Sequence, residues 1–211
     1  MANILITSGP TRQYLDPIRY LTNASSGKMG RELAIAAVNA GHQVTVISGP
    51  VAVKYPEKAT VIDIVTTDEL LETCKREFEK CDVLIGAAAP CDYRPVKIAE
   101  QKIKKTGEPI LLQLVETPDV VAMLGATKRP DQWTIGFALE TEDAHFRAIT
   151  KLQKKNCDLI VLNGPQAIDS ENNSIKIIAA DGNIVSQDDG PKQQIAVTIM
   201  QTIAANLLRK F

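Results

Sequence analysis

The sequence predicts an α/β protein: a mainly parallel central sheet covered on both faces by helices, with a C-terminal β-hairpin. Two patterns predict it. Short apolar runs rich in β-branched residues alternate with segments of helical period from the first residues onward, as expected for βαβ units with right-handed crossovers. Towards the other end, Ser174–Ala179 and Asn183–Gln187 flank Ala180-Asp181-Gly182, a hairpin turn signal. At 211 residues the chain is long enough for one sizeable core, and it reads as a single domain over 1–211 without repeat, low-complexity tract or linker.

Each element has its own signal. Ile4-Leu5-Ile6-Thr7 is strand-like and is ended by Ser8-Gly9-Pro10. A helix entered through Ser25-Ser26-Gly27 repeats apolar residues at Met29, Leu33, Ala36, Ala37 and Ala40, and stops at Gly41. Gln43–Ser48 is a buried-type strand ending at Gly49-Pro50, and Thr60–Val65 is a third apolar run. Thr67-Asp68 offers an N-cap for a helix over Glu69–Lys80. The strand beginning at Asp82 runs into the tiny residues Gly86-Ala87-Ala88-Ala89. Ile110–Val115 reads as a strand, and Thr117-Pro118-Asp119 opens a helix with Thr117 at the N-cap. Trp133–Ala138 and Asp158–Asn163 are strands around a helix that starts at Glu140–Asp143, ends near Asn156 and carries the stripe Ala144, Ala148, Leu152. An amphipathic helix from Lys192 to Lys210, with Ile195, Ile199, Ile203 and Leu207 on one face, closes the chain. The whole is a Rossmann-like three-layer sandwich, in which ligands sit beyond the carboxyl ends of the strands.

Two long loops meet that edge. The first, between the opening strand and helix, takes roughly twenty residues where a few suffice, which argues for a job of its own. It carries Arg12, Arg19 and Lys28 beside Thr11, Asn23, Ser25 and Ser26, and ends at a helix N-terminus, a way to collect donors for phosphate and carboxylate. The second, Pro90–Gly107, holds Lys102-Ile103-Lys104-Lys105, which reads either as a mobile cationic flap or as a solvated charge run. Lys151 and Lys155 are four apart on one helix face. From spacing alone they are equally a polyphosphate grip and a pair of helix-end cations.

The bulk numbers exclude several classes. A net charge of -1 gives no nucleic-acid or membrane surface, so any anion site is local. No apolar run approaches a membrane span, and no leader signal precedes the first strand. The four cysteines, Cys74, Cys81, Cys91 and Cys157, show no CxxC pairing and the two histidines lie far apart, which fits a reducing cytoplasm rather than a zinc site or disulfide scaffold. There is no GxGxxG fingerprint, no GxxxxGK[ST] loop and no GxSxG elbow. What remains is chemistry by positioning and charge stabilisation, as in nucleotidyl transfer.

At this point the residues reach a resemblance. LDPIRYLTNASSGKMG (Leu15–Gly30), then VISGPV, GAAAPCDYRP, EQKIKK, TPDVV, GFALET and DLIVLN, in that order, resemble phosphopantothenate–cysteine ligase over essentially the whole chain. The resemblance implies a two-step reaction. The carboxylate of 4'-phosphopantothenate attacks the α-phosphate of a nucleoside triphosphate, and the cysteine amine then displaces the nucleoside monophosphate from the acyl carbon. It assigns Asn23 and Arg19 to the second step and Lys102 to closing over the triphosphate. It places Gly86, Ala87 and Ala88 (through backbone), Asp92, Pro118, Asp119, Val120, Val121, Phe137, Lys151 and Lys155 on the nucleotide. CTP is expected over ATP from the bacterial form of the motifs, although Pro90-Cys91 stands where small aliphatic residues are usual. Mg²⁺ is implied by the triphosphate, with no ligands of its own to name. A homodimer with shared sites, a cytoplasmic location and a chain without the flavin-dependent decarboxylase domain are further expectations. A nicotinamide-dependent reductase is disfavoured by the missing glycine fingerprint. A silent binding module is disfavoured by the presence of Asn23, Arg19 and Lys102.

Overall fold

The computed structural model describes residues 1–140, 142–164, 166 and 170–206. Its strands are β1 (Asn3–Ser8), β2 (Arg12–Tyr14), β3 (Tyr20–Thr22), β4 (Gln43–Ser48), β5 (Thr60–Asp63), β6 (Val83–Gly86), β7 (Tyr93–Pro95), β8 (Leu114–Glu116), β9 (Trp133–Leu139), β10 (Leu159–Asn163), β11 (Asn172–Ala179) and β12 (Ile184–Pro191). The helices are α1 (Lys28–Asn39), α2 (Thr67–Phe78), α3 (Val120–Thr127), α4 (Ala144–Lys154) and α5 (Lys192–Asn206). The last part of the closing helix expected from sequence, Leu207 to Lys210, lies outside the described residues, as does Thr141.

An 8-stranded sheet runs β12-β11-β10-β9-β6-β1-β4-β5. Every neighbouring pair from β10 across to β5 is parallel, while β11 and β12 are antiparallel and form the expected hairpin. Alternation along each strand builds the two faces. Ile4, Ile6, Val44, Val46, Val83 and Ile85 point to the side covered by α1 and α5. Leu5, Ile47 and Leu84 point to the opposite side, where α2 and α3 supply Leu70, Leu71, Cys74, Val120 and Leu124. On that same side α4 lays Ala148 and Leu152 over Ile160 and Leu162. Each such fully buried aliphatic side chain contributes about 1.5–3 kcal/mol relative to exposure.

Both helix caps expected from threonines fall elsewhere. The N-cap of α2 is Thr66, whose hydroxyl accepts from Glu69 N while Glu69 reaches back to Thr66 N, a complete capping box. The N-cap of α3 is Asp119, which accepts from Ala122 N. The hydroxyls of Thr67 and Thr117 are used otherwise: both donate to the Cys91 carbonyl. The two long loops also contain structure that was not foreseen. β2 and β3 pair within the first. The second begins with β7, which pairs with β8, so the strand read over Ile110–Val115 shrinks to Leu114–Glu116 and joins a ribbon outside the main sheet.

Candidate functional site

The chain builds β1, β4 and β5 outward on one side, then returns to lay β6 and β9 on the other. The order therefore reverses between β1 and β6, and a crevice opens beyond their carboxyl ends. Two adjoining cavities occupy it. The first, about 280 Å³, is walled by Gly86, Ala88, Asp92, Pro118, Asp119, Val120, Val121, Phe137 and Lys155, all expected from sequence. The second, about 490 Å³, is walled by Asn23, Ala87 and Lys151 together with Ser25, Ser26 and Lys28 at the start of α1. Ala88, Pro90, Asp92 and Phe137 belong to both, so one wall separates and joins the two spaces.

Small residues shape the first cavity and the entry to the second. At Gly86 an added Cβ would lie 2.7 Å from Val121 Cγ2, so any larger residue at this strand end would push against the side chain at the start of α3. At the entry to α1, Gly27 has φ 74 and makes no side-chain cap, which leaves the first N–H groups of the helix to solvent or ligand. That end carries a partial positive charge and faces the second cavity.

The cations at the rim are paired. The Lys151 ammonium lies 2.7 Å from the buried Glu140 carboxylate, a Coulombic contact rather than an aligned hydrogen bond. Lys155 reaches Asp119 at 3.2 Å, and Lys28 reaches Glu171 at 2.5 Å, holding that carboxyl below its usual range. An arriving polyphosphate would exchange these carboxylate partners for its own oxygens. Among the described residues no group of three or more His, Cys, Asp or Glu side chains is placed to hold a metal.

Hydrogen bonds tie the two long loops into one floor. Thr11 Oγ1 lies 2.8 Å from Thr67 Oγ1 and accepts from Cys91 N at 2.8 Å, while Gln13 Nε2 donates to Thr67 at 2.9 Å. Asn23 Nδ2 donates to Pro90 O at 2.8 Å. Arg12, read as a possible anion donor, instead stacks on Tyr20 with its guanidinium carbon 4.4 Å from the ring centre.

Arg19 and Lys102 line neither cavity. Arg19 Nη1 bonds Asp16 Oδ2 at 2.5 Å and Ile103 O at 3.0 Å. Lys102 is exposed on the adjoining loop. Asp16, which was given no role from sequence, is fully buried and accepts from Ile18 N, Arg19 N and Ile103 N besides the guanidinium. Burial by itself would raise its pKa; these donors prevail and hold the carboxyl at about 2. Asn163 and Asn173 were also missed. Both line the second cavity, and each has a buried Oδ1 without a hydrogen-bond partner. Asn163 was legible as the polar residue that ends a buried run at a carboxyl edge. Asn173 arrives by antiparallel pairing and carries no local sign.

Over residues 1–207 the chain matches the family described as the DNA/pantothenate metabolism flavoprotein C-terminal domain. It is 38% identical over 184 residues to the coenzyme A biosynthesis bifunctional protein CoaBC of Haemophilus influenzae, a match covering 86% of this chain and 46% of that one. The chain thus spans about half the length of such relatives. The crystal structure of a CoaBC C-terminal domain superposes with a TM-score of 0.82 at 34% identity, covering 98% of this chain and 96% of that one. The DNA/pantothenate metabolism flavoprotein of Streptococcus pneumoniae gives a TM-score of 0.83 at 25% identity, covering 97% and 99%.

Proposed function

The chain belongs to the family of the DNA/pantothenate metabolism flavoprotein C-terminal domain, and from that premise we propose that it is a ligase of coenzyme A biosynthesis, joining 4'-phosphopantothenate to L-cysteine through an acyl-nucleotide. The observation that carries this reading is the shared wall of Ala88, Pro90, Asp92 and Phe137. A two-step ligation needs a nucleotide and an acid held side by side, with their reacting groups meeting at one boundary.

In this reading the nucleotide takes the first cavity, against the backbone of Gly86 and Ala88 and the Pro118–Val121 turn, with Phe137 at its base. Lys151 and Lys155 neutralise phosphate oxygens. The acid takes the second cavity, with Asn23, Ser25 and Ser26 near its carboxylate. Carboxylate attack on the α-phosphate releases pyrophosphate, and Lys102 from the second loop stabilises the charge that leaves. The Asn23 amide then donates to the acyl oxygen of the anhydride while the cysteine amine attacks; Arg19, which lines neither cavity, is assigned to this step by the resemblance. CTP is the nucleotide assigned, on the bacterial form of the motifs. Mg²⁺ would enter with the triphosphate and neutralise its oxygens. Asp92 and Glu116 line the first cavity and offer one or two carboxylates, the number such a phosphate-held ion takes from protein.

The working unit is proposed to be a cytoplasmic homodimer. Its support is the ribbon of β7 and β8 with its connecting loop, which exposes Tyr93, Val96, Ile98, Leu112 and Val115, and Leu111 at 96%. Apolar side chains left exposed in such number on one ribbon and its loop favour a protein interface. No helix among the described residues is long and apolar enough to cross a membrane.

Pyrophosphate release tests the reading. Purified protein with 4'-phosphopantothenate and CTP or ATP is expected to release pyrophosphate, and added cysteine to release the nucleoside monophosphate. Silence with both nucleotides would remove the proposal. In the same assay Asn23→Asp is expected to keep the first step and slow amide formation about 10²–10³-fold, the range for a lost oxyanion donor.

A further inference from the structure

The ion pair of Asp16 and Arg19 does more than close a turn. Asp16 Oδ1 accepts from Ile18 N at 2.9 Å and Arg19 N at 2.8 Å, and these bonds, with Leu15 N donating to Arg19 O at 2.8 Å, close the local turn. Oδ2 faces away, accepting from Arg19 Nη1 and, at 3.1 Å, from Ile103 N, 87 residues along the chain. Arg19 Nη1 in turn donates to Ile103 O at 3.0 Å. One ion pair thus grips both backbone polar groups of a single residue. Next to that point, Ala99 N donates to Leu15 O at 2.9 Å, so the loop is docked on the turn along several residues. Ile103 is half-buried there, whereas Lys102, Lys104 and Lys105 on either side are exposed.

We propose that Asp16 is a positioning residue of the ligation: with Arg19 it clamps the Ile103 backbone and thereby sets where the adjacent Lys102 ammonium can reach. This rests on the assignment of Lys102 to the triphosphate made above. A carboxylate needed only for the turn would be complete with Oδ1. The second oxygen is given to the loop that bears the lysine. Burial of the pair at the Asp16 end keeps water from competing for the Ile103 N–H, so the clamp holds its geometry.

The test is a double-mutant cycle on pyrophosphate release. Asp16→Asn keeps the shape but loses the charge and presents an amide to the Ile103 N–H. Alone, it is expected to slow pyrophosphate release about tenfold to a hundredfold, as for a reacting group displaced by an ångström. In a Lys102→Ala background the same change is expected to slow it less than about twofold further, because the two act through one group. Limited trypsin digestion supplies a readout independent of catalysis: cleavage after Lys102, Lys104 and Lys105 should accelerate in Asp16→Asn. Full additivity in the cycle, or an unchanged rate in Asp16→Asn, would overturn the proposal. If Asp16→Asn melts below assay temperature, Asp16→Glu, which keeps the charge and shifts its reach by one methylene, carries the same cycle. Full activity of Lys102→Ala would remove the lysine's role and the positioning role with it. In that case pyrophosphate release by the parent protein shows whether the ligase reading itself survives.

Discussion

A buried carboxylate persists in a folded chain only when its oxygens are fully bonded, and Asp16 meets that condition with three backbone N–H groups and one guanidinium. Its carboxyl sits at about 2 in the folded chain, below an unfolded value of about 3.9. The folded state therefore binds this proton less readily. The ionised group stabilises the fold above about pH 4, and that contribution fades as the pH falls towards 2. Urea denaturation at stepped pH should show the parent losing stability across this window. Asp16→Asn should be less stable at neutral pH, and its deficit should shrink as the parent is acidified. At this scale the sequence was most and least informative at once. The cavity residues Gly86, Ala88 and Asp92 stood in a string whose resemblance to the family pointed to them. Thr67 and Thr117 were misread as caps because a hydroxyl beside a helix start looks the same whether it bonds its own helix or a carbonyl on a distant loop.

Elements followed sequence where burial dictates pattern. β1, β4, β6, β9 and β10 are apolar because helices cover both faces, and their strings could not be mistaken for surface. The strands β2, β3 and β7 were invisible and β8 was read too long: three residues each, they hold together by pairing across a loop, which no local period records. The capping box of α2 makes a quantitative case. Thr66→Ala removes the acceptor for Glu69 N and is expected to lower stability by about 0.5–2 kcal/mol, seen as a reduced denaturation midpoint with an unchanged slope. Thr67→Ala instead removes one of the links between the two loops, a different defect from a residue one position away.

At the scale of the molecule, the proposed dimer is tested at the exposed ribbon of β7 and β8. Leu111→Asp with Val115→Lys should shift the protein towards monomer in sedimentation velocity while its far-UV spectrum stays unchanged. A parent that is monomeric throughout the micromolar range would contradict the dimer. The four cysteines behave alike: all are free and buried. Burial pushes the thiols of Cys74 and Cys81 up to about 12 and that of Cys157 to about 11, and raises Cys91 as well. Ellman's reagent should find no reactive sulfur in the native protein and the full set after denaturation. A protein proposed to take a thiol amino acid as its substrate keeps its own sulfur protonated and out of reach, so mixed disulfides with cystine have nothing to form on. Oxidation of the substrate pool would then starve this catalyst without poisoning it.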